Sequence, residues 1–258
     1  MSITAQDLGR ARLVWPTVAT LAALAILLSL GTWQMQRKVW KEGLIDAIAQ
    51  RVTAEPVPLD TAARRWSGDE DLEYLRVTAR GRFRHDKERL FYAPGKDGPG
   101  FHVFTPLETS VGRYLFVNRG FVPERLADPA SRVAGQHPGE VEITGLLRRP
   151  ADQGWFTPAN EPVRNLWFWR DLDGMAASAL GRDAGKALPF FLDAQPRDPA
   201  PSPATWPRPG VTRLDLPNRH LEYALTWYGL AGALIAVYLA FARGRLRRST
   251  GDPSRPQT

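Results

Sequence analysis

Residues 216–248, LPNRHLEYALTWYGLAGALIAVYLAFARGRLRR, open as a polar loop, run uncharged from Tyr223 to Ala242 and end in a burst of arginine. As a helix rising 1.5 Å per residue, an uncharged run of that length spans about 30 Å, the thickness of a bilayer's hydrocarbon core. A second uncharged run, Leu13 to Gln36, lies near the other end of the 258-residue chain. The slightly negative mean hydropathy of the whole chain suggests a soluble protein. That average conceals the clustering of apolar residues in the two runs, which predicts two transmembrane helices.

Arg10 and Arg12 precede the first run, and Ser29-Leu30-Gly31 within it is a small-x-small site, so a cleaved signal peptide also fits the pattern. The uncharged stretch exceeds a usual signal core, however, and WQMQRKVWKEGLIDAIAQ (33–50) reads as helix continuing out of the membrane. An uncleaved anchor fits better. Pro16 lies in the first turn, where a missing N–H is harmless.

The expected organisation is therefore an α+β membrane protein in which N- and C-terminal transmembrane helices flank a mostly antiparallel, β-rich extramembrane domain. Residues 1–12 would be a cytoplasmic tail, 13–36 the first span, 37–195 the domain, 196–220 a proline-rich linker, 221–242 the second span and 243–258 a basic cytoplasmic tail. Lys and Arg near the membrane ends number seven on the terminal side and seven on the loop side, so the count does not orient the chain. The rule is weakest for a long translocated loop, and the dense ARGRLRR cluster (242–248) is a usual cytoplasmic stop. Termini inside and domain outside is the preferred orientation.

A formal charge of +7 raises nucleic acid as a partner, but the basic residues are scattered and accompany no zinc-ligand, RNP or helix-turn-helix pattern. Many of them flank the membrane runs. The absence of cysteine rules out disulfides, thiol chemistry and Cys-ligated metals.

Between the two spans, several runs have the β-branched and aromatic content of strands: 73–83, 89–94, 101–108, 113–122, 140–149, 164–170 and 188–194. KDGPG (96–100) and HPG (137–139) read as turns, and only 171–180 reads as a helix, with Asp171 or Asp173 as its cap. These features predict an antiparallel sheet or partly closed barrel. The proline-rich run 196–210 is expected to be an extended spacer, and the tail after Arg248 to be disordered.

Candidate catalytic residues are few. No H-E-x-x-H, G-x-S-x-G, Walker A or G-x-G-x-x-G pattern is present. His85 looks like part of a solvated turn, His102 like a hydrogen-bonded strand residue and His137 like a turn residue. In VNRGFVP (117–123), Gly120 suits a bulge, with Arg119 pairing to a nearby carboxylate. A membrane-tethered hydrolase would need a nucleophile, base and orienter that no spacing here supplies.

On a helix starting at His220, the residues Tyr223, Ala224, Trp227 and Ala231 share its face. The two alanines leave space between the aromatic rings, which suits a planar macrocycle ligated by the imidazole. The competing reading is an ordinary wet histidine within an interfacial aromatic belt. Glu222 points elsewhere. Gly232, Ala236 and Ala240 form a small-xxx-small ridge, expected to pack against the first span.

Four motifs, WQMQRKVWKEGLI (33–45), GPGFHVFTPL (98–107), YLFVNRGFVP (114–123) and NRHLEYALTWYGLA (218–231), resemble the surfeit locus protein 1 family in order and spacing. The resemblance runs from about Leu30 to Tyr238 and is thinnest between Asp128 and Pro217, where only scattered aromatic positions such as those of RNLWFWRD match. Phe121 stands where many members have Trp.

The resemblance implies a non-enzymatic factor for assembling haem–copper oxidases such as cytochrome c oxidase. In a bacterium it implies the inner membrane, with termini cytoplasmic and the domain periplasmic. It also implies binding of haem a, with His220 as the matching iron ligand. Around that ligand, Tyr223 and Trp227 are expected to border the ring and Arg37 or Arg219 to pair with propionates. The expected partners are the oxidase catalytic subunit, haem a synthase and membrane lipid, with no nucleic acid. The alternative is a cofactor-free, membrane-anchored scaffold that chaperones oxidase subunits.

Overall fold

No proline follows Pro16 until Pro56, and the run between them becomes one continuous helix, α1 (Val14–Thr53). The computed structural model describes residues 13–66, 71–95, 98–196, 205–212 and 217–250. The expected N-terminal tail (1–12), most of the proline-rich run (197–204) and residues 251–258 of the expected disordered tail lie outside the described residues.

After α1 come β1 (Val57–Pro58), α2 (Leu59–Trp66), β2 (Arg76–Phe83), β3 (Arg89–Tyr92), β4 (Gly100–Glu108), β5 (Tyr114–Pro123), β6 (Glu140–Arg148), β7 (Leu166–Trp167), α3 (Leu172–Leu180), β8 (Ala187–Ala194) and α4 (His220–Thr250). The chain forms two compact units. One joins α1 up to Asp46 with the segment from Asp215 onward, and the other is Ala47–Leu214.

In the helical unit, α1 and α4 are each long and apolar enough to cross a membrane. Gly31 is buried on α1, and a Cβ added there would meet the Tyr228 ring of α4 at 2.6 Å. Thr32 Oγ1 lies 3.3 Å from Tyr228 OH, and Thr17 Oγ1 hydrogen-bonds Tyr238 OH. Ala224 and Ala231 are the fully buried residues of this α4 face. The expected ridge does not take part: Gly232, Ala236 and Ala240 are exposed, and a Cβ on Gly232 would meet nothing. Gly232 follows buried Ala231 by one residue, about 100° around the helix, which turns the whole ridge away from α1.

In the second unit, the described strands form one eight-stranded sheet in the order β1-β2-β6-β8-β5-β4-β3-β7. β2 also pairs with β4, through Arg82↔Glu108 and Phe83↔Leu107. That pairing closes β2, β6, β8, β5 and β4 into a ring, so the sheet is barrel-like, as the strand spacing predicts. Pairing is mostly antiparallel, with parallel contacts at β1–β2, β3–β7 and β5–β8.

Alternation along each strand sorts its side chains between two cores. Leu115 and Val117 of β5 join Leu188, Phe190 and Leu192 of β8, with Leu59 and Ala62 of α2, in one cluster. Tyr114, Phe116 and Phe191 face the other way and pack against Leu172, Met175, Ala176 and Ala179 of α3. β5 is therefore buried along its whole length, which explains the near-continuous apolar run YLFVNRGFVP.

Three further expectations need correction. α2 is a second helix of the β-rich unit, absent from the sequence reading because eight residues next to Pro58 carry only two turns of periodicity. The run 164–170 contributes only the two-residue β7, since Asn165 adopts a left-handed φ of 54° just before it. The proline-rich run also does more than span distance. Its described end docks on β5, with Phe121 N donating to Arg208 O at 2.8 Å and Arg208 N donating to Phe121 O at 2.9 Å. Gly120 (φ 118°) makes this possible, because a Cβ there would collide with the Arg208 carbonyl. The expected bulge lies here too, where the β4–β5 register shifts between His102 and Phe104. The expected α3 forms as read, with Asp171 accepting from Gly174 N at 2.9 Å.

Candidate functional site

α4 begins at His220, just after Pro217-Asn218-Arg219. The half-buried His220 ring places Nδ1 2.8 Å from Gln34 Oε1 on α1. An amide oxygen only accepts, so Nδ1 carries the proton in this bond. In the neutral ring the lone pair then sits on Nε2, which has no partner among the described residues. A hydrogen bond of this kind fixes the tautomer and orientation of a metal-ligating histidine.

Tyr223 is exposed and Trp227 half-buried, one and two turns on from His220. All three follow a stripe along the edge of the seam. The space predicted at Ala224 and Ala231 is not open, because both alanines are buried in the helix pair. A flat ligand on this stripe would meet the tyrosine and tryptophan from the lipid side rather than enter between the helices.

The two arginines differ. Arg219 is paired with Glu222, Nη2 to Oε2 at 2.9 Å, which also gives Glu222 a role at the helix start. Arg37, one turn on from Gln34, lies with Cζ 3.9 Å from the Trp40 ring centroid and makes no ion pair among the described residues. Arg37 is the cation left available to an incoming carboxylate. Among the described residues no three His, Asp or Glu gather as a metal site.

Sequence reasoning missed Gln34. Its signal was a polar side chain near the end of an apolar run, which needs a partner across a helix pair.

The β-rich unit holds two polar clusters of its own. Buried Glu88 accepts from Arg132 Nη2 at 2.6 Å, Arg119 Nη1 at 3.0 Å and Thr105 Oγ1 at 3.3 Å. Burial alone would raise the Glu88 pKa, but the hydrogen bonds from His85 and Arg132 and the charges of Arg132 and Arg119 outweigh it and hold it at about 2. Arg119 thus has the carboxylate its motif predicts. His85 is not a solvated turn residue: its Nδ1 lies 3.1 Å from Arg119 Nη1, and its Nε2 lies 3.3 Å from the His137 carbonyl. The second cluster joins Asn118, Thr212 and Arg148 around Asp193, at 2.9, 2.8 and 3.0 Å.

The model of the SURF1 family matches residues 21–232. Surfeit locus protein 1 of Mus musculus is 40% identical over 235 residues, covering 85% of this chain and 72% of the relative. That of Homo sapiens is 39% identical over 234 residues, covering 83% and 74%. The SURF1-like protein of Monosiga brevicollis is 34% identical over 248 residues, covering 92% and 89%. With a match of this extent, and membrane-length helices that precede and follow the barrel-like domain in sequence, the chain belongs to the SURF1 family.

Proposed function

We propose that this protein is a non-enzymatic assembly factor for a haem–copper terminal oxidase of the cytochrome c oxidase kind, which holds haem a at the membrane edge and passes it to the catalytic subunit. Family membership supports the assembly role. The observation that carries the ligand reading is the 2.8 Å contact between His220 Nδ1 and Gln34 Oε1, which leaves Nε2 as the free lone pair.

When bound, haem a would supply an iron that an imidazole can ligate. His220 supplies the imidazole, Tyr223 and Trp227 border the ring, and Arg37 neutralises a propionate. Arg219 is the lesser candidate because it would first have to leave Glu222. A single imidazole at a helix end suits delivery, which requires release as well as binding. The working location is a bacterial inner membrane, termini cytoplasmic and domain periplasmic, supported by the arginine cluster at 243–248. Working partners are the oxidase catalytic subunit, haem a synthase and membrane lipid.

The test is the absorption spectrum of detergent-purified protein from a host that makes haem a. Wild type is expected to carry haem a and His220→Ala to lose it. Unchanged haem content and spectrum in His220→Ala would remove His220 as the ligand. Wild type free of haem, with oxidase still lowered by gene deletion, would favour the cofactor-free scaffold.

A further inference from the structure

A cleft of about 730 Å³ in the β-rich unit is used by nothing above. Its size is that of small-molecule sites. Phe91, Tyr92, His102 and Phe121 give it aromatic lining, with the Phe91 and His102 rings 16° from parallel at 6.1 Å and Phe121 edge-on to His102 at 6.5 Å. Three arginines line it as well: Arg148, Arg170 and Arg208.

Two of these are engaged. Arg148 donates to Glu73 Oε1 at 2.8 Å and to Asp193 Oδ2 at 3.0 Å. The Arg208 guanidinium stacks on Trp206, 4.0 Å from the ring centroid. Arg170 makes no side-chain hydrogen bond or ion pair with any described residue. Burial, and then the neighbouring Arg148 charge, push its pKa below the ordinary arginine value. The nearby Asp193 and Glu73 charges offset only part of this, and an incoming anion relieves the rest. Asp193 and Glu73 are both held by Arg148, and neither bonds Arg170.

We propose that this cleft binds an apolar carboxylate, with Arg170 pairing with the carboxylate and the rings of Phe91, Tyr92, His102 and Phe121 contacting the apolar body. Arg170 lies in the stretch RNLWFWRD, whose aromatic residues the proposed function leaves unused. A guanidinium fork matches a carboxylate in two parallel hydrogen bonds, and flat rings hold an apolar body without selecting its length. The site shares no residue with the His220 stripe, so either can fail alone.

The test is calorimetric titration of the full chain in dodecyl maltoside with 1-pyrenebutyrate and with palmitate, using neutral 1-pyrenebutanol as control. At least one acid is expected to bind saturably. Arg170→Gln is expected to weaken it at least about tenfold, and Arg170→Lys to retain part of the affinity. Binding of pyrenebutyrate alone assigns a flat body, binding of palmitate alone a chain, and either supports the site. His220→Ala is expected to leave the titration unchanged. Failure of both acids to saturate, equal binding by Arg170→Gln, or equal binding of the alcohol and its acid would overturn the proposal. If Arg170→Gln unfolds, the acid-against-alcohol comparison on wild type and the Arg170→Lys titration still decide it.

Discussion

Glu88 Oε2 accepts from Arg132 Nη2 at 2.6 Å, with both side chains almost fully out of solvent. This contact ties the short turn before β3 to the segment between β5 and β6, and it makes the β-rich unit sensitive to acid. The Glu88 pKa falls from 4.5 to about 2 on folding. A depressed carboxylate stabilises the fold above its unfolded pKa, and that contribution, about 3 kcal/mol, disappears as pH falls towards the folded value. Stability is therefore expected to drop between pH 4.5 and 2, read by tryptophan fluorescence during denaturant unfolding. Glu88→Gln leaves Arg119 and Arg132 buried without their counter-charge, at a cost of about 3–5 kcal/mol at neutral pH, and flattens the acid dependence.

Gly120 holds a φ of 118° under the Arg208 carbonyl. Gly120→Ala is expected to cost at least about 2 kcal/mol, through backbone strain together with displacement of residues 205–212. Limited proteolysis checks this directly, since cleavage after Arg208 should accelerate well before the rest of the β-rich unit unfolds.

Gly31 leaves room for the Tyr228 ring, so Gly31→Leu is expected to part α1 from α4. The native chain lacks cysteine, which allows a clean readout. Thr17→Cys with Tyr238→Cys places one thiol on each helix, separated by about the length of the lost tyrosine ring. Their cross-linking by a short bis-maleimide in detergent should be efficient with Gly31 and fall sharply with Leu in its place.

Gln34→Leu removes the acceptor that orients the His220 ring but leaves the imidazole in place. If His220 ligates haem a as proposed, haem a content is expected to fall about tenfold or more in Gln34→Leu, the usual effect of losing a ligand's hydrogen-bond partner, while Gln34→Glu retains it. Equal haem in Gln34→Leu and wild type would separate the histidine's hydrogen bond from any ligand role.

Local patterns were legible in the sequence where local physics decides them. β-branched and aromatic runs marked β2, β3, β4, β5, β6 and β8, and Asp171 marked the start of α3. What joins distant segments was hidden. Arg82 and Glu108 close the ring of strands with no local signature, and of the cluster His85, Glu88, Arg119 and Arg132 only Arg119 was marked, as pairing with a carboxylate its motif could not name. At the candidate site, periodicity placed Tyr223 and Trp227 on the stripe of His220 but could not show which helix face was already covered. The small-residue ridge misled for that reason: Gly232, Ala236 and Ala240 have the right spacing for packing, but the buried seam belongs to Ala224 and Ala231.

The ring of strands also sets an order of events during synthesis. β8 lies between β5 and β6, yet it is the last strand of the unit to be made. Until residues 187–194 leave the ribosome and reach the barrel, β5 presents an unpaired edge with apolar residues on both faces, and β6 one with Ile143 and Leu147 on one face. Such edges invite pairing with other chains. A nascent chain halted short of Ala194 is thus an open, adhesive half-barrel, and the cell must either finish translation quickly or shield those edges while it waits.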